Sequence, residues 1–97
     1  MVAVLLLSAC KQDKPVVCDF KLVDGYYYEV GDTVKVINTT QNAMSYYWSF
    51  GDSTWNIEFE PTHVYQVPGK YWISCVASND SYNDYQIDTV FISEPDI

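Results

Sequence analysis

Apolar and polar residues alternate with a period of two along most of this chain. Tyr46, Trp48 and Phe50 alternate with Tyr47 and Ser49, and the run ends at Gly51-Asp52. Strict alternation in an aromatic-rich stretch predicts a half-buried strand, and Gly-Asp predicts the turn that stops it. From Gly69 to Ser78, Tyr71, Ile73, Cys75 and Ala77 share one face, with Trp72, Ser74, Val76 and Ser78 on the other. Val16 to Val23 alternates as well, placing Cys18, Phe20 and Leu22 together, and Asp24-Gly25 marks the following turn. Tyr26 to Val30 reads as an extended connection. Thr33 to Asn38 reads as a second strand with Val34 and Val36 inward, and Thr39 to Ala43 as a polar turn. Trp55 to Phe59 suggests a short edge strand, His63 to Tyr65 another, and Tyr85 to Ile92 the last. About seven short strands with turn signals between them, and no helical periodicity, predict an all-β, two-sheet antiparallel sandwich.

Length and charge narrow the function. The 97 residues allow one domain. A chain this short buries only about two-thirds of its unfolded surface, so each aromatic in a 16% aromatic composition counts toward the core. Thirteen acidic residues against five basic ones give a net charge of −8, and no Lys/Arg cluster exists. Nucleic acid, whose phosphates need a basic face, is excluded as a partner. There is no nucleophile–base pairing, phosphate loop or metal cluster, so no enzyme and no cofactor is expected.

The N-terminus changes the picture. Met1 to Ala9 is apolar and uncharged, too short to cross a bilayer as a helix, and reads as the tail of a secretion signal. Leu7-Ser8-Ala9-Cys10 is similar to a bacterial lipobox, which implies that Cys10 is lipidated and becomes the mature N-terminus. The basic region that normally opens such a signal is missing, which points to a truncated or misassigned start. The competing reading of Met1 to Ala9 is a buried first strand, disfavoured by the polar residues that follow. Residues 10–15, the cysteine and a polar tether, would hold the domain near a membrane through lipid chains. The folded part is expected over residues 16–93, with 94–97 a tail resembling the start of a linker. Localisation is expected to be extracytoplasmic, anchored to the cell envelope. Lys11 after the cysteine resembles outer-membrane sorting.

Three linked motifs resemble a known family. Tyr46, Trp48 and Phe50-Gly51-Asp52, then Pro61, His63 and Tyr65, then Pro68-Gly69, Tyr71, Ile73, Cys75, Ala77 and Asn79 are similar to the motifs of PKD (polycystic kidney disease) domains. Ser49, Ser53 and Cys75 depart from the usual Asp, Gly and Leu. The resemblance covers about Val16 to Ile92. It implies an immunoglobulin-like β-sandwich used for binding or spacing, generally without catalysis.

Several residues have bland readings. Trp48 is expected to be the core tryptophan between the sheets. His63, the only histidine, lacks partners for catalysis or zinc and is expected to be structural, as the family resemblance also implies. Asp52 is expected to accept bonds from backbone N–H groups of its turn. Asp80, Asp84 and Asp88 could share a Ca²⁺, although their spacing fits no loop signature, and no metal site is assigned. Cys18 and Cys75 fall on inward faces of opposite sheets. A disulfide between them is allowed in an exported protein, and two free thiols packed as small hydrophobes is the alternative. The sequons at Asn38 and Asn79 are read as unglycosylated.

The outward positions are more informative. If Tyr71, Ile73 and Cys75 face the core, then Trp72 and Val76 face solvent, and Tyr47 does likewise. On the last strand Tyr85, Ile87 and Phe91 would face out, leaving Gln86 and Asp88 inward, an awkward placement that suggests a bulge. Tyr47, Trp72, Val76, Tyr85, Ile87 and Phe91 would then form one aromatic-rich patch. Such a patch suits a sugar ring or a protein surface. The expected function is a membrane-anchored, non-catalytic binding module for a polysaccharide or protein. The alternative is a spacer or assembly domain of a larger surface protein.

Overall fold

A computed structural model describes residues 13–95. Cys10 and the segment before it lie outside the described residues. Eight strands form: β1 (Phe20–Leu22), β2 (Tyr27–Glu29), β3 (Thr33–Asn38), β4 (Ser45–Ser49), β5 (Trp55–Asn56), β6 (Thr62–Val64), β7 (Gly69–Ser78) and β8 (Asn83–Ser93). They pack as a three-stranded sheet ordered β1-β3-β6 against a five-stranded sheet ordered β2-β8-β7-β4-β5. No helix occurs among the described residues. The all-β sandwich stands, with one strand more than expected. The addition is β2, which pairs in parallel with the end of β8 from Tyr27↔Phe91 to Glu29↔Ser93. A three-residue strand made by a distant partner leaves no local pattern, so these residues read as a connection. The edge strand β5 is shorter than expected because Asn56 Oδ1 accepts the Glu58 N–H at 2.7 Å, turning the chain away.

The core forms where the inward rows of the two sheets meet. Trp48, Ile73, Cys75, Ala77 and Val90 have no exposed surface, and Phe20, Val34 and Tyr65 have almost none. Trp48 meets Phe20 edge-on with ring centroids 5.0 Å apart. Its indole Nε1 donates to the Glu58 carbonyl at 2.8 Å, so the buried ring also holds down the loop after β5. Cys18, just before β1, and Cys75, on β7, are buried, free thiols. The Cys18 thiol donates to the Cys75 carbonyl at 3.5 Å, and burial pushes the Cys75 thiol up to about 12.

Gln86 and Asp88 do face inward, but no bulge is present. The β7–β8 register runs unbroken from Gly69↔Ile92 to Ser78↔Asn83. The inward polar groups of β8 meet the free edge of β1 instead. Gln86 Oε1 accepts the Phe20 N–H at 3.0 Å and its Nε2 donates to the Phe20 carbonyl at 2.9 Å. Asp84 accepts the Cys18 N–H at 2.8 Å. These side chains pair with β1 as a neighbouring strand would, closing one flank of the sandwich and satisfying groups that burial would otherwise orphan.

The turn after β4 is built from the motif residues. Gly51 has φ +83, and a Cβ there would lie 2.8 Å from the Trp72 carbonyl oxygen, so only glycine fits. Asp52 accepts from the Thr54 N–H at 3.3 Å and from the Thr54 hydroxyl. Its other oxygen sits 2.7 Å from His63 Nε2. The His63 ring stacks on Phe50 at 4.2 Å and meets Tyr65 edge-on at 4.6 Å. The Tyr65 hydroxyl donates to the Phe50 carbonyl at 2.6 Å, and its ring stacks on Tyr71 at 4.3 Å. Partial burial alone would raise the Asp52 pKa, but the bonds from Thr54 and His63 outweigh it and hold the carboxyl below its ordinary value. Both sequon amides are engaged. Asn38 Nδ2 donates to the Phe59 carbonyl at 2.8 Å. Asn79 Nδ2 donates to the Lys14 and Asn42 carbonyls at 2.8 and 2.9 Å.

Three stability outcomes are expected. Trp48→Ala should cost about 3–5 kcal/mol in chemical denaturation, from the lost ring and the cavity it leaves. Gln86→Leu should cost about 2–3 kcal/mol, because it orphans the Phe20 N–H and carbonyl; an unchanged denaturation midpoint would disprove the strand-like pairing. Asp52→Ala should destabilise by about 1–3 kcal/mol at neutral pH. The folded carboxyl is depressed, so its contribution is present above the unfolded value of about 3.9 and is lost as pH falls through the lower folded value. The gap between wild type and Asp52→Ala should therefore narrow as the pH falls below about 4 in urea titrations.

Candidate ligand-binding face

The outer face of the five-stranded sheet follows from the pleat and the register. Because Trp48, Cys75 and Ile73 point inward, their neighbours point out. One outward row is Tyr85, Val76 and Tyr47 across β8, β7 and β4. The next is Ile87, Ser74, Ser49 and Trp55, which reaches the edge strand β5. A third pairs Thr89 with Trp72, and the next row holds Lys70, Phe91 and Tyr27. Trp72 is 62% exposed, Tyr85 66%, Ile87 53% and Tyr47 48%.

The structure thus brings Tyr47, Trp72, Val76, Tyr85 and Ile87 onto one surface, as the alternation predicts. Phe91 shares the sheet face but lies two outward rows beyond Ile87 along β8, where its ring stacks on Tyr27 at 5.2 Å. Two exposed aromatics of this face escaped the sequence reading. Trp55 stacks on Tyr47 with centroids 5.9 Å apart, and Tyr27 is the partner of Phe91. Tyr27 sits on a three-residue strand paired with the distant β8 and had no local signal, whereas Trp55 lies on a two-residue edge strand too short for alternation to show which face it takes.

The surface is stepped rather than flat. Ser49 and Ser74 are direct cross-strand partners, and Gly51 has no side chain. A depression of about 530 Å³ is lined by Ser49, Gly51, Trp72, Ser74 and Ile87. The outward positions from Thr89–Trp72 to Tyr85–Tyr47 include no Asp, Glu, Lys or His. A second depression, of about 340 Å³, lies by β1, with Asp19, Lys21, Tyr26 and Asp88 among its lining residues.

The remaining candidates serve the fold. His63 and Asp52 hold each other beside the β4 turn. Asp84 and Asp88 are spaced along β8 and spend their oxygens on the Cys18 N–H and the Gln86 amide. Among the described residues no three His, Cys, Asp or Glu side chains converge as metal ligands would.

Comparison with known proteins agrees with this architecture. The PKD domain family model matches residues 27–92. The PKD1 domain of Vibrio anguillarum Epp superposes with a TM-score of 0.72 at 21% identity, over 87% of this chain and 100% of that one. The PKD1 domain of the Vibrio cholerae metalloprotease PrtV gives 0.70 at 24% identity, over 82% and 99%. A structure of carbohydrate-binding modules from the β-sandwich superfamily gives 0.77 at 14% identity, over 86% of this chain and 36% of that one. At these identities the likeness concerns the fold. No curated protein matches the sequence. The family motifs, the immunoglobulin-like sandwich and the family match together place the chain in the PKD domain family.

Proposed function

We propose that this PKD domain is a non-catalytic, extracytoplasmic binding module whose outward sheet face contacts a polysaccharide or protein, with Trp72, Tyr47, Tyr85 and Phe91 as contact residues. The observation that carries the reading is the aromatic face itself, left exposed on a domain whose core is already complete. Contiguous exposed apolar surface of this kind marks interaction sites. Tyr and Trp offer an apolar face with a polar edge. The fold shared with carbohydrate-binding modules supports the glycan form of the reading.

The anchoring proposal is lipidation at Cys10. Asp13 accepts the Ser81 hydroxyl at 2.8 Å, and the Lys14 carbonyl accepts the Asn79 amide. The chain therefore enters the domain at the end carrying the 79–82 turn. A lipid on Cys10 would set that end toward the membrane and leave the aromatic face along the side of the domain, open to ligand.

The second reading is a spacer or assembly domain of a larger surface protein. It is favoured by the likeness to a PKD1 domain that is itself one part of a metalloprotease.

The test is a binding screen of the protein against a polysaccharide panel, with Trp72→Ala as the control. Trp72 is well exposed, so the variant should keep the fold and lose roughly tenfold or more in affinity, as expected for a stacking aromatic. If wild type binds no polysaccharide and no envelope protein, the spacer reading prevails.

A further inference from the structure

We propose that the ligand is an electrically neutral polysaccharide chain, seated in the depression beside the Trp72 indole on a floor of Ser49, Gly51 and Ser74. This rests on the reading of the outward face as the ligand face, and adds the class of ligand and its seat.

Shape is the first argument. Along the sheet, Trp72 and the Tyr85–Val76–Tyr47 row are separated by the serine row. Two residue steps on each side put the walls about 13 Å apart. Between them Ser74 and Ser49 stand side by side, and just past the end of β4 Gly51 lies against the backbone of Trp72. A Cβ at Gly51 would strike the backbone of Trp72, so the floor there is bare by necessity of the fold. The volume of about 530 Å³ falls within the range of small-ligand pockets, about 300–1,000 Å³.

Chemistry is the second. The lining offers the Trp72 indole and the aliphatic Ile87, while the floor presents the hydroxyls of Ser49 and Ser74, with Thr89 beside Trp72. A pyranose ring has the same division, with C–H bonds on its faces and hydroxyls around its rim. Its C–H face suits the negative face of an aromatic ring, and its rim meets hydroxyls that both donate and accept. A purely apolar protein anchor would leave those serine hydroxyls desolvated without partners.

Charge is the third. The chain carries −8, yet none of that charge falls in the three outward rows around the depression. A polyanion would meet a single cation near here, Lys70 in the next outward row beside Phe91, and would be repelled by the molecule as a whole. A polycation would be drawn to the acidic residues elsewhere. The surface is complementary to a ligand without charge.

The test uses the full chain, three neutral unbranched polymers (a β-glucan, a xylan and a mannan) and one anionic polymer, polygalacturonate. Ser74→Val raises the floor and keeps every aromatic; a β-branched residue suits an exposed strand position, so the sheet should persist. Ser49→Val repeats the change from the neighbouring strand should the first variant fold poorly. Expected is Trp72-dependent binding to at least one neutral polymer, weakened about tenfold or more by either valine, with polygalacturonate unbound. Neutral-polymer binding that is lost in Trp72→Ala but unchanged in both valine variants would overturn the seat, showing a ligand laid across the aromatics. Trp72-dependent binding of polygalacturonate alone would overturn neutrality and leave the ligand-face reading standing. No binding to any of the four would overturn this proposal, and Trp72-dependent capture of an envelope protein would then still preserve the ligand face.

Discussion

The unbroken antiparallel register between β7 and β8 is the constraint on which the rest of this molecule depends. Ten consecutive residue pairs with no bulge decide both faces of the central ribbon at once. Each residue that buries Ile73, Cys75 or Val90 forces a neighbour outward, because side chains of a strand alternate without exception. The same register that completes the core therefore exposes Trp72, Tyr85 and Ile87. A slip of one residue would bury those side chains and expose the core row, so the candidate site is as strongly specified as the fold.

The same constraint explains the polar interior of β8. Alternation drives Asp84, Gln86 and Asp88 inward along with Val90 and Ile92. In a closed core that would be costly. Here the inward row of β8 reaches the open flank of the sandwich, where β1 has one strand partner and a second edge to satisfy. The Gln86 amide carries a donor and an acceptor with the spacing of a peptide group, and it meets the donor and acceptor of Phe20. Two sheets that share no backbone ladder at this flank are thereby joined by side chains.

What could be read from sequence follows the range of the physics involved. The alternation of β3, β4, β7 and β8 is local, and their faces were legible from Val34, Trp48, Ile73 and Val90 onward. Three motifs at the right spacing pointed to the family, and the family model agrees. The strand β2 was not legible, since Tyr27 to Glu29 is extended only because β8 lies beside it. Trp55 was missed as a member of the outward face for a different reason: its strand is two residues long, and its face is set by the pairing with Ser49 across the ladder. Gln86 and Asp88 were placed correctly and explained wrongly, because the backbone partner of Gln86, Phe20 on β1, lies 66 residues away in sequence and leaves no mark near β8, while Asp88 accepts the Gln86 amide.

Gly51 ties the fold to the candidate site more tightly than any aromatic does. Its positive φ makes the turn that lets Asp52 reach His63, and its missing side chain lets the chain pass against the backbone of Trp72. The space above it is the open floor beside the indole. A substitution there would change turn, packing and site together, so binding could not be tuned at this position without cost to folding. Ser49, Ser74 and Trp55 are free of that coupling, because their side chains leave the sheet toward solvent, where Trp55 stacks only on the exposed Tyr47 ring. A scaffold arranged this way keeps one fixed feature, a bare strip next to an exposed indole, and surrounds it with positions that can change independently. Selectivity among ligands would then be written in the serine row and on the edge strand, while the motif residues beneath them remain occupied with the turn and the core.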